Sequence, residues 1–211
     1  MKSTTLTAGA AAAPDAENSD STHKHLATAV LYTIVTVVLL GIAYPLAMTG
    51  IAQLIFPHQA NGSMVVVGGK TVGSDIIGQL WTKPQYFQGR PSAAGKNGYD
   101  PTATGGTNLG PTSKKLIDAT RDAIAALKKA NPGATLPVPM DLVTSSASGI
   151  DPDISPEAAY YQVPRIAKAR HLTAGAVSAI VAKYEHGREL GFLGEPHVNV
   201  LELNLALDAK K

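Results

Sequence analysis

An uncharged run from Leu26 to Phe56, LATAVLYTIVTVVLLGIAYPLAMTGIAQLIF, constrains this chain more than any other stretch. No Asp, Glu, Lys or Arg occurs between Lys24 and Lys70. A helix needs about 20 apolar residues to cross a bilayer. Residues 26–56 therefore read as a transmembrane anchor, with its core at residues 28–50. Lipid offers no hydrogen-bond partner, so the Thr hydroxyls of this run should return to the preceding turn. Pro45 lacks a donor and predicts a kink, with a freed carbonyl one turn back. A cleaved signal peptide has an apolar core of only about 7–15 residues behind a basic start. Here the core is longer and follows a polar leader. A buried helix of a soluble protein would carry a polar stripe, and this run carries none.

The stretch before the run, residues 1–25, is rich in Ala, Ser and Thr and lacks apolar periodicity, which predicts a disordered leader. Lys24 precedes the span, and no Lys or Arg follows it until Lys70. The positive-inside rule then puts the N-terminus in the cytoplasm and residues 57–211 outside it. In a Gram-negative source that means the inner membrane and the periplasm. Residues 57–211 suffice for one soluble domain with its own core. The net charge of +2 is too small to argue for a nucleic-acid partner. The absence of cysteine excludes disulfides, thiolate metal sites and a cysteine nucleophile.

The domain reads as α+β, with a small β-hairpin and several short helices. Pro57 should end the anchor helix, and Asn61-Gly62 is a turn signal. Met64–Val67 is a β-branched run that Gly68-Gly69 turns back toward Thr71 and Val72. Ser74–Trp81 suits either a strand or one helical turn. Lys83–Pro111 is too rich in Pro and Gly for long elements, and loops of such length are often functional. Leu116, Ile117, Thr120, Ile124 and Leu127 fall at helical spacing over residues 112–130. Pro111 suits the first turn of that helix, and Asn131-Pro132-Gly133 stops it. Ser155-Pro156-Glu157 opens another helix, which Pro164 should split into two short ones. Thr173 caps a further helix with Val177, Ile180, Val181 and Tyr184 on one face and Gly187 as its stop. Near the end, Leu201, Leu203, Leu205 and Leu207 alternate like a strand. Asn199 with Glu202 three residues on is a capping pattern, which tips the reading to helix.

Most chemical motifs dissolve on inspection. The stretch from Gly105 to Thr112 has the spacing of a phosphate loop, but Pro111 stands where the chemistry requires Lys. No two of His58, His171, His186 and His197 have helical metal-ligand spacing, and no G-x-S-x-G elbow supports a triad. These gaps leave no catalytic residue and no metal site to assign. Asp151 and Asp153 read as a turn and helix cap. Arg90, set among Gly, Pro and small residues, either clamps its own loop or contacts a partner subunit. Gly41, Ala43, Ala47 and Gly50, around Tyr44 and Pro45, would let another helix approach the anchor closely.

Six stretches then resemble one family, in order. They are YPLAMTGIAQLIFPHQANGSM from Tyr44, GSDIIGQLW from Gly73, YFQGRPSAAG from Tyr86, GGTNLGPTS from Gly105, DLVTSSASGIDPDISPEAAYYQVPRIAKAR from Asp141 and HVNVLELNLALD from His197. Together they resemble the potassium-transporting ATPase C subunit of the bacterial Kdp complex. The resemblance covers nearly everything beyond the leader, which is longer here than the family's usual few residues.

The resemblance implies a non-catalytic subunit of an ATP-driven K⁺ importer, required for assembly or activity. Its partners would be a channel-like subunit that carries the ion and a P-type ATPase subunit that hydrolyses ATP, in membrane lipid. It further implies a catalytic-chaperone role that raises ATP affinity, with nucleotide contact at Ser146, Ser148, Gly149 and Gln162. No cofactor would be stably bound. The charge bias puts these residues outside the cytoplasm, where ATP is scarce. The preferred mechanism is therefore a membrane-anchored cap over the external face of the channel-like subunit. The alternative is an anchored periplasmic binding or hydrolytic domain unrelated to transport.

Overall fold

The computed structural model describes residues 16–210, with side chains described from Ser21 onward. Contacts divide the chain into two units, one ending at Ala60 and one starting at Asn61. The first unit is helical. α1 (Ala16–Thr36) passes into a π-helical stretch, Val37–Ala43, and then into α2 (Tyr44–Ile55). The continuous apolar helix from Ser21 to Ile55 has 35 residues and is long enough to cross a membrane. At 1.5 Å per residue it measures about 52 Å, more than the roughly 30 Å of bilayer hydrocarbon. Thr28, Thr33, Thr36 and Thr49 each donate a hydroxyl to the carbonyl four residues back, at 2.7 to 2.9 Å.

Pro45 acts here by changing helix type. An α-helical Pro45 would collide with the carbonyl four residues back and offer it no donor. The π stretch widens the turn before it, and the Tyr44 N–H reaches Leu39 O instead. Two other details differ from the sequence reading. The helix starts at Ala16, inside the polar leader, and residues 1–15 of that leader lie outside the described residues. Pro57 opens a short turn, α3 (Pro57–Ala60), after a break at Phe56.

The second unit starts with a hairpin of β1 (Met64–Val67) and β2 (Lys70–Ser74), paired Met64 to Ser74 and Val67 to Lys70. Gly68 and Gly69 have φ of 57° and 79°. A two-residue turn with positive φ at both positions favours glycine, and it matches the twist of the strands. Ser74–Trp81 is neither strand nor helix beyond Ser74; it turns and runs on irregularly. No helix or strand forms across residues 83–111.

α4 (Lys114–Ala130) starts after Ser113, so Pro111 stays outside it, and it ends at Asn131 as expected. After a 3-10 turn at Met140–Leu142 come β3 (Asp153–Ile154), α5 (Pro156–Arg170), α6 (Ala174–Lys183), β4 (Glu185–His186), β5 (His197–Asn199) and α7 (Val200–Asp208). The strands form an antiparallel sheet in the order β3-β5-β4. Ser155, Thr173 and Asn199 cap their helices as read, each accepting from amides of the first turn. α6 ends at Tyr184, before Gly187.

Pro164 does not split α5, which is continuous. Ala158, Ala159, Tyr161, Val163, Ile166 and Ala167 are all buried around it. Burying a large apolar side chain is worth roughly 1.5–3 kcal/mol. The sum exceeds the ~3 kcal/mol that an interior Pro costs, so tertiary burial wins. The core continues through Val177 and Val181 of α6, Val198 of β5, and Leu203 and Leu207 of α7. Phe87, with no exposed surface, enters it from the long loop.

Candidate functional site

The long loop meets α5 and α7 through an unusual set of hydrogen bonds. Residues 84–88 make none of the sheet bonds that their carbonyls would otherwise find. Arg165 donates to Pro84 O and, at 3.0 Å, to Tyr86 O. Arg170 Nε donates to Gln85 O at 2.8 Å. The Asn204 amide brackets Phe87, accepting its N–H at 2.8 Å and donating to its carbonyl at 3.0 Å. The Gln162 amide does the same for Gln88, at 2.9 and 3.0 Å. Every carbonyl from Pro84 to Gln88 thus ends on a side chain from α5 or α7. A buried backbone group left unpaired is costly, and here polar side chains replace a neighbouring strand.

Arg165 is the centre of this clamp. Its remaining donors reach Asn131 Oδ1 at 2.9 Å and Gln162 Oε1 at 2.7 Å. Burial pushes its pKa down to about 10, so it stays charged at neutral pH. Arg170 also bonds Leu207 O and pairs with Asp208 at 2.7 Å.

Beyond Gln88 the loop locks onto the stretch before β3. Arg90 pairs with Asp151 at 3.0 Å and donates to Ser145 O at 3.4 Å. Ser92 Oγ donates to Gly149 O and accepts from Tyr99 N. Ser146 Oγ accepts from Gly149 N at 2.8 Å, and Ser148 Oγ from Ile150 N at 3.2 Å. Gly105 N donates to Ser148 O at 2.8 Å. The Ser-rich stretch is therefore an ordered junction between two loops. A cleft of about 530 Å³ opens beside it, lined by Arg90, Asp141, Asp151, Asp153, Glu195 and His197 among others. Burial pushes the Asp153 carboxyl up from its ordinary value, against the pull of His197.

Tyr99 closes the junction, donating to Arg90 O at 2.6 Å. Burial first, and then the Asp151 charge, raises its pKa from 10.0 to about 12. The neutral phenol is the form that the fold binds. Its stabilising contribution is complete below pH 10 and is lost as pH rises through about 12. Titration of tyrosinate absorbance should show a late ionisation near pH 12 that Tyr99→Phe removes.

The residues singled out from sequence thus sort by place. Ser146, Gly149 and Gln162 are buried, and Gln162 has no exposed surface at all. Ser148 is exposed. Arg90 is half-buried and engaged within the chain. Arg90 and Ser146, Ser148 and Gly149 meet at the loop junction, while Gln162 belongs to the neighbouring clamp. Gly41, Ala43, Tyr44, Pro45, Ala47 and Gly50 lie on the exposed apolar helix. Ala43, Ala47 and Gly50 recur at one helical face. A Cβ added at Gly50 would meet nothing within 4 Å.

Sequence reading missed Arg165, Arg170 and Asn204. Asn204 did leave a signal, as one amide among Leu201, Leu203 and Leu207. The arginines left none, because a charged residue on a helix is ordinarily a solvated one.

Among the described residues one helix is long and apolar enough to cross a membrane and an α+β domain follows it, an architecture consistent with a single-span, membrane-anchored class of protein. The family model for KdpC, the K⁺-transporting ATPase c chain, matches residues 26–209. The chain is 58% identical to the potassium-transporting ATPase KdpC subunit of Acidobacterium capsulatum, over 87% of this chain and 97% of that protein. It is 51% identical to the subunit of that name from Koribacter versatilis, over 88% of this chain and 94% of the relative. For Methylococcus capsulatus the values are 50%, 88% and 97%. The chain belongs to the KdpC family.

Proposed function

We propose that this chain is the non-catalytic accessory subunit of an ATP-driven K⁺ importer and works as an anchored outer brace. The anchor packs against the channel-like subunit through the face bearing Ala43, Ala47 and Gly50. The domain lies outside the cytoplasm and braces the external surface of that subunit. Catalysis resides in the P-type ATPase subunit. The family match over residues 26–209 supports the place in the complex. The observation that carries the brace over nucleotide contact is Gln162, whose amide is fully buried and paired on both sides with Gln88. Arg90 serves the brace by holding the junction to Asp151.

The competing reading is a catalytic chaperone that raises the ATP affinity of the ATPase subunit. It has one exposed side chain to work with, Ser148. ATPase kinetics on the purified complex separate the two. Loss of this chain is expected to lower K⁺-stimulated turnover, and its return with Ser148→Ala to restore both kcat and KM for ATP. A several-fold higher KM with kcat unchanged is the pattern of lost uniform binding and would favour nucleotide contact.

A further inference from the structure

The connection between β4 and β5, residues 187–196, presents large apolar side chains to solvent in an ordered way. Leu190 is 81% exposed, Phe192 69% and Leu193 48%. The tip is closed by reciprocal backbone hydrogen bonds between Glu189 and Leu193, both at 2.9 Å. An Arg188–Glu195 ion pair joins its two arms. Its base is fixed to the core: His186 stacks on His197 with ring centres 5.3 Å apart, and Val198 is fully buried. Leu190 holds φ of 52°, the left-handed region that a branched side chain avoids. The chain accepts that strain at a position where Leu190 touches no core.

We propose that this tip is a docking knob for an apolar recess on another chain of the K⁺-transporting assembly. The inference rests on the reading of this chain as one subunit of that assembly. Charge argues against lipid as the occupant. Glu189 and Glu195 flank the tip and Glu185 stands at its base, with Arg188 as the one Lys or Arg among residues 185–196. An anionic bilayer surface attracts basic segments and repels this one. Area argues against a second copy. Three such side chains bury at most about 500 Å², against about 800 Å² per partner in a stable interface. A small knob suffices where both partners are already held in one assembly, because effective concentration supplies the rest. The acidic flank predicts a basic rim around the recess.

Because the chain has no cysteine, Phe192→Cys gives a single probe at the tip. In the purified assembly its reaction with a maleimide should be about tenfold slower than in the isolated full-length chain, a protection worth about 1.4 kcal/mol. A benzophenone maleimide attached there should crosslink to another chain of the assembly. A Leu190→Asp, Phe192→Asp double variant should keep the unfolding midpoint of the isolated chain and reduce recovery of the other chains with it. Leu136→Asp, exposed elsewhere, should not. Equal labelling rates, crosslinks confined to lipid or to a second copy, or unchanged recovery would overturn the knob. Failure of the unsubstituted chain to recover other chains at all would instead overturn the subunit reading.

Discussion

Arg165→Ala is expected to lower the thermal unfolding midpoint of the purified full chain by about 10 °C, the largest shift of any single substitution in the clamp. The guanidinium bonds Pro84 O, Tyr86 O, Asn131 Oδ1 and Gln162 Oε1. Gln162 Oε1 keeps a second donor in Gln88 N, but among the described residues no other side chain donates to the Pro84 and Tyr86 carbonyls. Asn131 Oδ1 is the buried acceptor that loses its donor, and such a group left unpaired costs about 1–3 kcal/mol; with the more exposed Pro84 and Tyr86 carbonyls the loss sums to about 3–5 kcal/mol. Total stability is only about 5–15 kcal/mol, so the variant should accumulate poorly in cells. Arg165→Lys keeps the charge but not the fork geometry and should recover only part of the loss. Equal midpoints for Arg165→Ala and the parent chain would show that water replaces the clamp.

Gly149→Ala should rank next. Gly149 has φ of 72°, where any side chain is strained. An added Cβ would lie 2.7 Å from Ala94 Cβ and 2.8 Å from Gly105 O. Ala94 has no exposed surface, and Gly105 is tied to Ser148, so neither can yield cheaply. The left-handed penalty is about 1–2 kcal/mol, and overpacking adds about 1–3 kcal/mol. The junction that Arg90, Ser92 and Ser146 share should open. Faster proteolysis between residues 91 and 110, measured on the purified chain, would report it. Cleavage no faster than in the parent would show that the junction does not depend on this glycine.

These two residues also mark what was legible. Gly149 stood inside a Ser/Gly stretch that drew notice for its likeness to a nucleotide-contacting segment. Its conformational role follows from φ and from the approach of Ala94, neither of which a sequence displays. The anchor was legible because lipid permits few solutions: a long uncharged run must be a helix with its hydroxyls turned inward, and the Thr residues do this. The caps at Ser155, Thr173 and Asn199 were legible because capping is local chemistry. Pro164 misled because its local cost is set against burial that only the assembled core supplies. Pro45 misled less: its conflict was foreseen, but its resolution as a π stretch depends on how seven neighbouring residues share the adjustment. Gln162 was singled out by resemblance, and its partner lies 74 residues away in sequence, beyond any local pattern.

The central claim is an outer brace that works without touching nucleotide, and Ser148 gives access to it. The side chain is exposed and the chain has no native cysteine, so Ser148→Cys is the one thiol of this chain, and its labelling is read on this chain's band of the intact assembly. The measurement is its reaction with a membrane-impermeant maleimide in intact spheroplasts, with and without permeabilisation and ATP. The account predicts labelling in intact spheroplasts, at a rate that ATP does not change. Labelling only after permeabilisation, slowed by ATP, would contradict it.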